Sequence, residues 1–288
     1  MKPAEFDYCR PSTVAEAVTV LADVESARVL AGGQSLIPAM NFRLTDVSVL
    51  VDIGGVEGLD AVACDPEGVT VGATATQTRV LDDDAIAAVI PGLRAALRHV
   101  GHLQIRNRGT VCGSLAHADP AAELPALAVA CDAVLAVSGP GGDRRIRAAD
   151  FFSGPFWTTL EDGELITAVR FAAPPAAAMT VVDEISRRAG DFAVAGLVAV
   201  LEAGDREMRS ARLVGFGLGG APTRLKEAEA VFVGWAADHP TDVIAEAVVA
   251  DTADAFDDIH ATGWYRREAV AALAVRAARR ALNAREDA

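Results

Sequence analysis

Two glycine-centred stretches hold the residues best suited to binding chemistry: Ala31-Gly32-Gly33-Gln34-Ser35-Leu36 and, further along, Thr110-Val111-Cys112-Gly113-Ser114-Leu115-Ala116. Each offers consecutive backbone N–H groups with no Cβ in front of them, and such loops suit an anion the size of a dinucleotide pyrophosphate. Taken alone, a Gly-Gly pair equally marks a plain β-turn.

Other candidates carry less. Gly215-Phe216-Gly217-Leu218-Gly219-Gly220 satisfies the dinucleotide pattern G-x-G-x-x-G after a strand-like run. Pro222 interrupts the glycine-to-helix junction that the pattern needs, and no return strand completes a βαβ unit, so the match is set aside. Cys9, Cys64, Cys112 and Cys131 form no C-x-x-C pair. That excludes a zinc knuckle or an iron–sulfur cluster built from local spacing and fits reduced, cytoplasmic thiols. His99, His102 and His117 read as surface or core histidines, since metal sites need three or four converging ligands, and no metal site is expected. The basic clusters at Arg187-Arg188 and over residues 276–285 read as solvated faces or subunit contacts.

The elements around these loops must hold them in place. With 288 residues, 51% of them hydrophobic, the chain has material for two domains and a sizeable core. Its net charge of −14 opposes nucleic acid and anionic membrane as main partners. No run approaches the length of a membrane span, and the amino terminus has no apolar leader segment, so a cytosolic protein is expected.

Residues 13–21 have helical periodicity, with Ser12 or Thr13 as N-cap and Glu16 placed for a capping box. Strands are predicted over residues 28–30, 50–53 and 68–74, and a helix over 84–100 that Pro91-Gly92 must kink or split. A helix over 121–131, a strand over 133–137 and a turn at 139–142 follow. Residues 172–178, with their double proline, read as a linker. Beyond it, strands over 180–186, 193–201 and 211–216 precede helices over 225–233, 243–249 and 265–282, the order of an α+β module.

The first stretch, continued as Ile37-Pro38-Ala39-Met40-Asn41-Phe42-Arg43-Leu44, resembles the flavin loop of the medium subunit of molybdenum hydroxylases, the carbon monoxide dehydrogenase and xanthine dehydrogenase group. The second, Gln104-Ile105-Arg106-Asn107-Arg108-Gly109-Thr110 through Glu123-Leu124-Pro125, is similar to that family at nearly every position. Asp150-Phe151-Phe152, Arg187-Arg188-Ala189-Gly190-Asp191-Phe192-Ala193 and Trp264-Tyr265-Arg266-Arg267 extend the resemblance along the chain. It implies an α+β fold: a vanillyl-alcohol-oxidase-type FAD-binding domain of two α/β subdomains, then a carboxy-terminal domain with a three-stranded antiparallel sheet and helices. The corresponding bounds are 1–175, with subdomains of about 1–57 and 58–175, and 176–288.

The resemblance also implies cofactor contacts at Ala31, Gly32, Gly33, Gln34, Ser35 and Leu36, and at Thr110, Cys112, Gly113, Ser114 and Ala116. Thr110 and Ser114 carry hydroxyls suited to phosphate or ribityl oxygens. Cys112 is a departure, because the family usually has glycine there; the thiol either points away or alters the contact. Glu123 matches a carboxylate that accepts bonds from cofactor hydroxyls; the alternative is an exposed acid at a helix start. Ile166 matches an apolar position near the isoalloxazine, or is an ordinary buried strand residue. Where the family often carries a lysine before Arg187-Arg188, this chain has Asp183 and Glu184.

The implied role is an FAD subunit that passes electrons from a partner's [2Fe–2S] clusters to an external acceptor, without a catalytic acid or base of its own. The implied partners are a [2Fe–2S] small subunit and a molybdopterin large subunit, assembled as a dimer of heterotrimers. The competing readings are a self-sufficient FAD oxidase and a cofactor-free assembly protein.

Overall fold

The computed structural model describes residues 1–286. Strands β1 (Asp7–Cys9), β2 (Ala27–Leu30) and β3 (Val49–Asp52) form a parallel sheet in the order β1-β3-β2. Parallel neighbours need crossovers, and helices α1 (Val14–Asp23) and α2 (Leu36–Asn41) lie within them. The start of α1 follows its capping residues. The Thr13 hydroxyl accepts the Glu16 N–H at 3.2 Å, while the Glu16 carboxylate accepts the N–H and hydroxyl of Ser12 at 2.8 and 2.9 Å. The first glycine loop is the short link between the end of β2 and the start of α2.

Strands β4 (Val62–Asp65) and β5 (Gly68–Gly72) open a second sheet. Six helices follow: α3 (Gln77–Asp82), α4 (Asp84–Val89), α5 (Pro91–His99), α6 (Leu103–Arg106), α7 (Val111–His117) and α8 (Glu123–Ala130). Pro91 splits the predicted helix by starting α5, where its missing N–H has no partner to lose. The sheet is completed by β6 (Val134–Gly139), β7 (Gly142–Arg147) and β10 (Leu165–Ala172), after the hairpin β8 (Phe152–Gly154) and β9 (Trp157–Thr158). Its order is β4-β5-β10-β6-β7, antiparallel throughout. Helix α8 is buried on every side, which is why its sequence lacks a polar face.

Strands β11 (Ala178–Ser186), β12 (Ala193–Ala203) and β13 (Met208–Phe216) form the expected antiparallel sheet, extended by the two-residue β14 (Thr223–Arg224). Helices α9 (Lys226–Phe232), α10 (Asp242–Asp251) and α11 (Gly263–Glu286) follow. The sheet is covered on both faces, so β12 reads as an unbroken apolar run rather than an alternation. Val182, Val198, Val214 and Phe216 pack into the core built by the preceding residues. Val181, Leu197, Ala199 and Leu213 turn the other way, into a second core with α9, α10 and α11. Gly215 lies in antiparallel β13, and Leu225 rather than a glycine leads into α9, so the G-x-G-x-x-G match has no dinucleotide-binding geometry. Among the described residues no helix is long and apolar enough to cross a membrane.

Arg266 fastens the first turn of α11 to this sheet. It is 2% exposed, donates to the Val194 and Gly217 carbonyls, pairs with Asp258 at 2.6 Å and lies over the Phe256 ring. Arg266→Ala would remove the guanidinium donor from the Val194 and Gly217 carbonyls and the ion pair from Asp258, whose Oδ1 would keep the His260 and Ala261 N–H groups. Urea unfolding of this variant is expected to show a loss on the order of 3 kcal/mol; a change under about 0.5 kcal/mol, typical of a surface substitution, would contradict the clamp.

Candidate functional site

The two glycine stretches, remote in sequence, meet backbone to backbone. A Cβ on Gly32 would lie 2.2 Å from the Arg108 carbonyl oxygen and 2.8 Å from Gly109 Cα, so only glycine fits at 32. Gly33 adopts φ +72°, the left-handed region that glycine enters without strain. This turn delivers the chain to α2, and the N–H groups of Gly33, Gln34, Ser35 and Leu36 have no acceptor among the described residues. The Gln34 side chain folds back to donate to the Gly32 carbonyl at 3.1 Å.

The second loop is fixed from three directions. Thr76 pairs with Thr110 in an isolated antiparallel bridge, and the Gln77 N–H donates to the Gly109 carbonyl at 2.8 Å. Thr110 caps α7, its hydroxyl accepting the Gly113 N–H at 3.0 Å. A Cβ on Gly113 would lie 2.6 Å from that hydroxyl, so a larger residue there would require the Thr110 side chain to shift.

Between the loops lies a cleft of about 520 Å³, within the size range of small-molecule sites. Ala31 and Thr110, both singled out from the sequence, line it beside Asn107, Arg108, Thr74, Thr76, the Gly54-Gly55 turn and Asp60. Asn107 and Arg108 were visible within the second motif. Thr74 and Thr76 gave no local signal, because a long-range bridge brings them to Thr110. Arg108 lines the cleft together with the acids Glu57 and Asp60, and Ala31 joins it to the loop whose amides at the start of α2 are unpaired. The unpaired amides from Gly33 to Leu36 are a donor set that suits a pyrophosphate.

The remaining candidates divide. Ser114 is half-buried and Ala116 exposed on α7. Cys112 faces inward: its thiol contacts the Val71 carbonyl at 3.5 Å, and burial pushes its pKa up to about 12. The first of the two expectations for this residue, a side chain pointing away from the loop, describes what is found. Ile166 is 4% exposed and packs into the main core beside a bulge in β10.

Glu123 is the first residue of α8 but is 6% exposed, which removes the exposed-acid alternative. Burial raises its pKa from 4.5 to about 8, with the neighbouring Glu184 charge adding to the rise and His99 opposing it. His99 Nδ1 lies 3.4 Å from Glu184 Oε1, and that carboxylate holds the imidazole above its ordinary range. The positions that depart from the family lysine therefore have distinct partners: Glu184 pairs with His99, and Asp183 with Arg276 of α11.

Residues 4–174 match the FAD binding domain in molybdopterin dehydrogenase, and residues 180–281 the CO dehydrogenase flavoprotein C-terminal domain. The glyceraldehyde dehydrogenase medium chain of Sulfolobus acidocaldarius is 32% identical over 96% of this chain and 98% of its own. The carbon monoxide dehydrogenase medium chain of Afipia carboxidovorans is 35% identical over 88% of this chain and 90% of its own. A chain in the crystal structure of quinoline 2-oxidoreductase from Pseudomonas putida superposes with a TM-score of 0.92 at 33% identity, covering 99% of both chains.

The buried acid and its histidine neighbour make folding sensitive to pH with a definite sign. Glu123 keeps its proton up to about pH 8 when folded but releases it near 4.5 when unfolded, so stability falls as pH rises through that window. The His99 contribution acts in the same direction: it is present below the ordinary histidine range and lost as pH rises through the raised folded value. The unfolding free energy should drop by a few kcal/mol between about pH 5 and about pH 8, and Glu123→Gln should remove most of the slope. Urea titrations across that range test this, and an equally steep slope in Glu123→Gln would exclude Glu123 as its source.

Proposed function

This chain belongs to the family of FAD-binding subunits of the molybdenum hydroxylases, and from that membership we propose that it is the flavin-carrying electron-transfer subunit of a heterotrimeric enzyme of this class. The observation that carries the reading is the contact of the two glycine loops beside a cleft, with the unpaired amides of the first loop suited to a pyrophosphate. An FAD held there would supply the redox chemistry for moving electrons to an external acceptor. The protein's part is to bind and orient it. Amides from Gly33 to Leu36 face the pyrophosphate, Ala31 and Gly32 keep the approach open, and Thr110, Gly113, Ser114 and Ala116 form the opposing wall. Cys112 contributes its backbone and not its thiol. Glu123 holds cofactor hydroxyls, and Ile166 backs the apolar end of the site.

The partners proposed are a small subunit with two [2Fe–2S] clusters and a large molybdopterin subunit, in a cytoplasmic dimer of heterotrimers. Relatives bear names of the same kind, among them a dehydrogenase complex subunit alpha from Paenarthrobacter nicotinovorans. The scattered cysteines support this division of labour, because local spacing cannot supply a cluster. Residues 1–175 are proposed as the FAD-binding domain, with subdomains of about 1–57 and 58–175, and 176–288 as the carboxy-terminal domain.

The purified chain should carry one FAD, contain neither iron nor molybdenum, and leave its flavin oxidised when mixed anaerobically with substrates of molybdenum hydroxylases. Bleaching by such a substrate would identify a self-sufficient oxidase; a colourless protein that cannot take up FAD would identify an assembly protein. Gly32→Ala forces a methyl group against the Arg108 carbonyl and should weaken FAD binding at least about tenfold, or about 1.4 kcal/mol. Unchanged affinity in the folded variant would move the cofactor away from these loops.

A further inference from the structure

A second cavity, of about 240 Å³, shares no residue with the glycine-loop cleft. It lies where the end of α8 and the proline-containing run after β10 meet the carboxy-terminal sheet. Its walls come from both parts of the chain: Cys131, Asp132 and Pro174 from one, Val200, Arg212 and Arg224 from the other. The volume is below that of drug-sized sites, so it suits a compact ligand.

Strand register places both arginines on one face of the sheet. Arg224 pairs with Val214, and Arg212 lies two residues before Val214 on β13, so the two are diagonal cross-strand neighbours with Cβ atoms roughly 7 Å apart. At Arg224, Nε and Nη2 donate as a fork to the two carboxylate oxygens of Glu229, the second at 2.9 Å. Arg212 is arranged otherwise. Only its Nη1 is engaged, donating to the Ala130 carbonyl at 2.8 Å and lying 2.5 Å from Asp132 Oδ2. Its Nε and Nη2 have no acceptor among the described residues, and neither is closed off from water. The guanidinium edge that takes a carboxylate at Arg224 is thus free at Arg212, in a side chain that lines the cavity.

Charge sets the class of ligand. Two guanidinium groups and the single carboxylate of Asp132 line the cavity, which leaves one positive charge in excess within a chain of net charge −14. The Cys131 thiol is neutral, since burial pushes its pKa up to about 12. Ala172, Ala173, Pro174, Pro175 and Val200 make the rest of the wall largely apolar. The geometry points to a binding site for a small organic monocarboxylate, whose carboxylate takes the Nε–Nη2 edge of Arg212 and whose apolar body lies against the two prolines and Val200. A phosphate dianion is a poorer match, because its second charge would stand beside Asp132 without a partner. A carboxylate held in this way leaves Arg212 on the Ala130 carbonyl and ties residues 172–175 to β13. It therefore stabilises the folded chain in proportion to its occupancy, whether or not the glycine-loop cleft is filled.

The test follows para-fluorobenzoate, with para-fluorobenzamide as its uncharged control, by fluorine NMR line broadening on the full chain at fixed ionic strength. The carboxylate should bind with a Kd below about 1 mM and raise the thermal midpoint, and the amide should bind at least about tenfold more weakly. Arg212→Lys keeps the charge and a donor for the Ala130 carbonyl but removes the fork, and should weaken para-fluorobenzoate binding at least about tenfold. Ser210→Phe changes an exposed residue of the cavity wall, leaves Arg212 in place and should weaken binding as much by filling the volume. Absence of para-fluorobenzoate binding in wild type, equal binding of the amide, or unchanged affinity in either folded variant overturns the site. None of these measurements reads the flavin, so their failure leaves the flavin-subunit reading as it stands.

Discussion

The close approach of the Gly32 backbone to the Arg108 carbonyl is the constraint on which the candidate site depends. One loop hangs from a parallel sheet and the other from the helical segment that follows an antiparallel sheet. No side chain stands between them, so the positions of both are set by the elements behind: β2 and α2 for the first, the Thr76–Thr110 bridge and the Thr110 cap for the second. A backbone contact of this kind cannot be adjusted by rotamer changes. It transmits any shift of either sheet directly into the cleft.

The core is organised to prevent such shifts. Although residues 172–178 look like a linker, Val182, Val198, Val214 and Phe216 pack into the same core as Leu93, Leu127 and Val169. Arg212 reaches across from β13 to the Ala130 carbonyl and to Asp132, adding polar connections at the same seam. The carboxy-terminal sheet thus serves as a wall of the preceding part as well as the floor for α9, α10 and α11. Burial on both faces favours a rigid arrangement, because close-packed interiors have few alternative packings.

Rigidity also explains where ionisable groups are tolerated. Most ion pairs lie at or near the surface, as Arg79–Asp60 and Arg94–Asp84 do, and contribute little. Glu123 and Glu184 are different, since they are buried at the seam between two packed layers where desolvation is large. Retaining two such acids in an apolar boundary has a cost in stability, and a site with that cost is a reasonable place for function.

Much of this protein was legible in its sequence wherever the signal was local. The capping residues Ser12, Thr13 and Glu16 marked the start of α1, Pro91 marked the break before α5, and the run from Ala193 marked β12. The two glycine motifs pointed to the family because their residues are constrained by backbone geometry, which leaves a direct trace in residue type. Short elements such as β1, α2 and the β8–β9 hairpin left no periodic trace. Tertiary structure alone decided that Gly32 abuts Arg108, that the Cys112 thiol turns toward Val71, that Glu123 is buried, and that Glu184 meets His99. These facts depend on which surfaces pack together, and packing between residues distant in sequence is not encoded in the spacing of either partner.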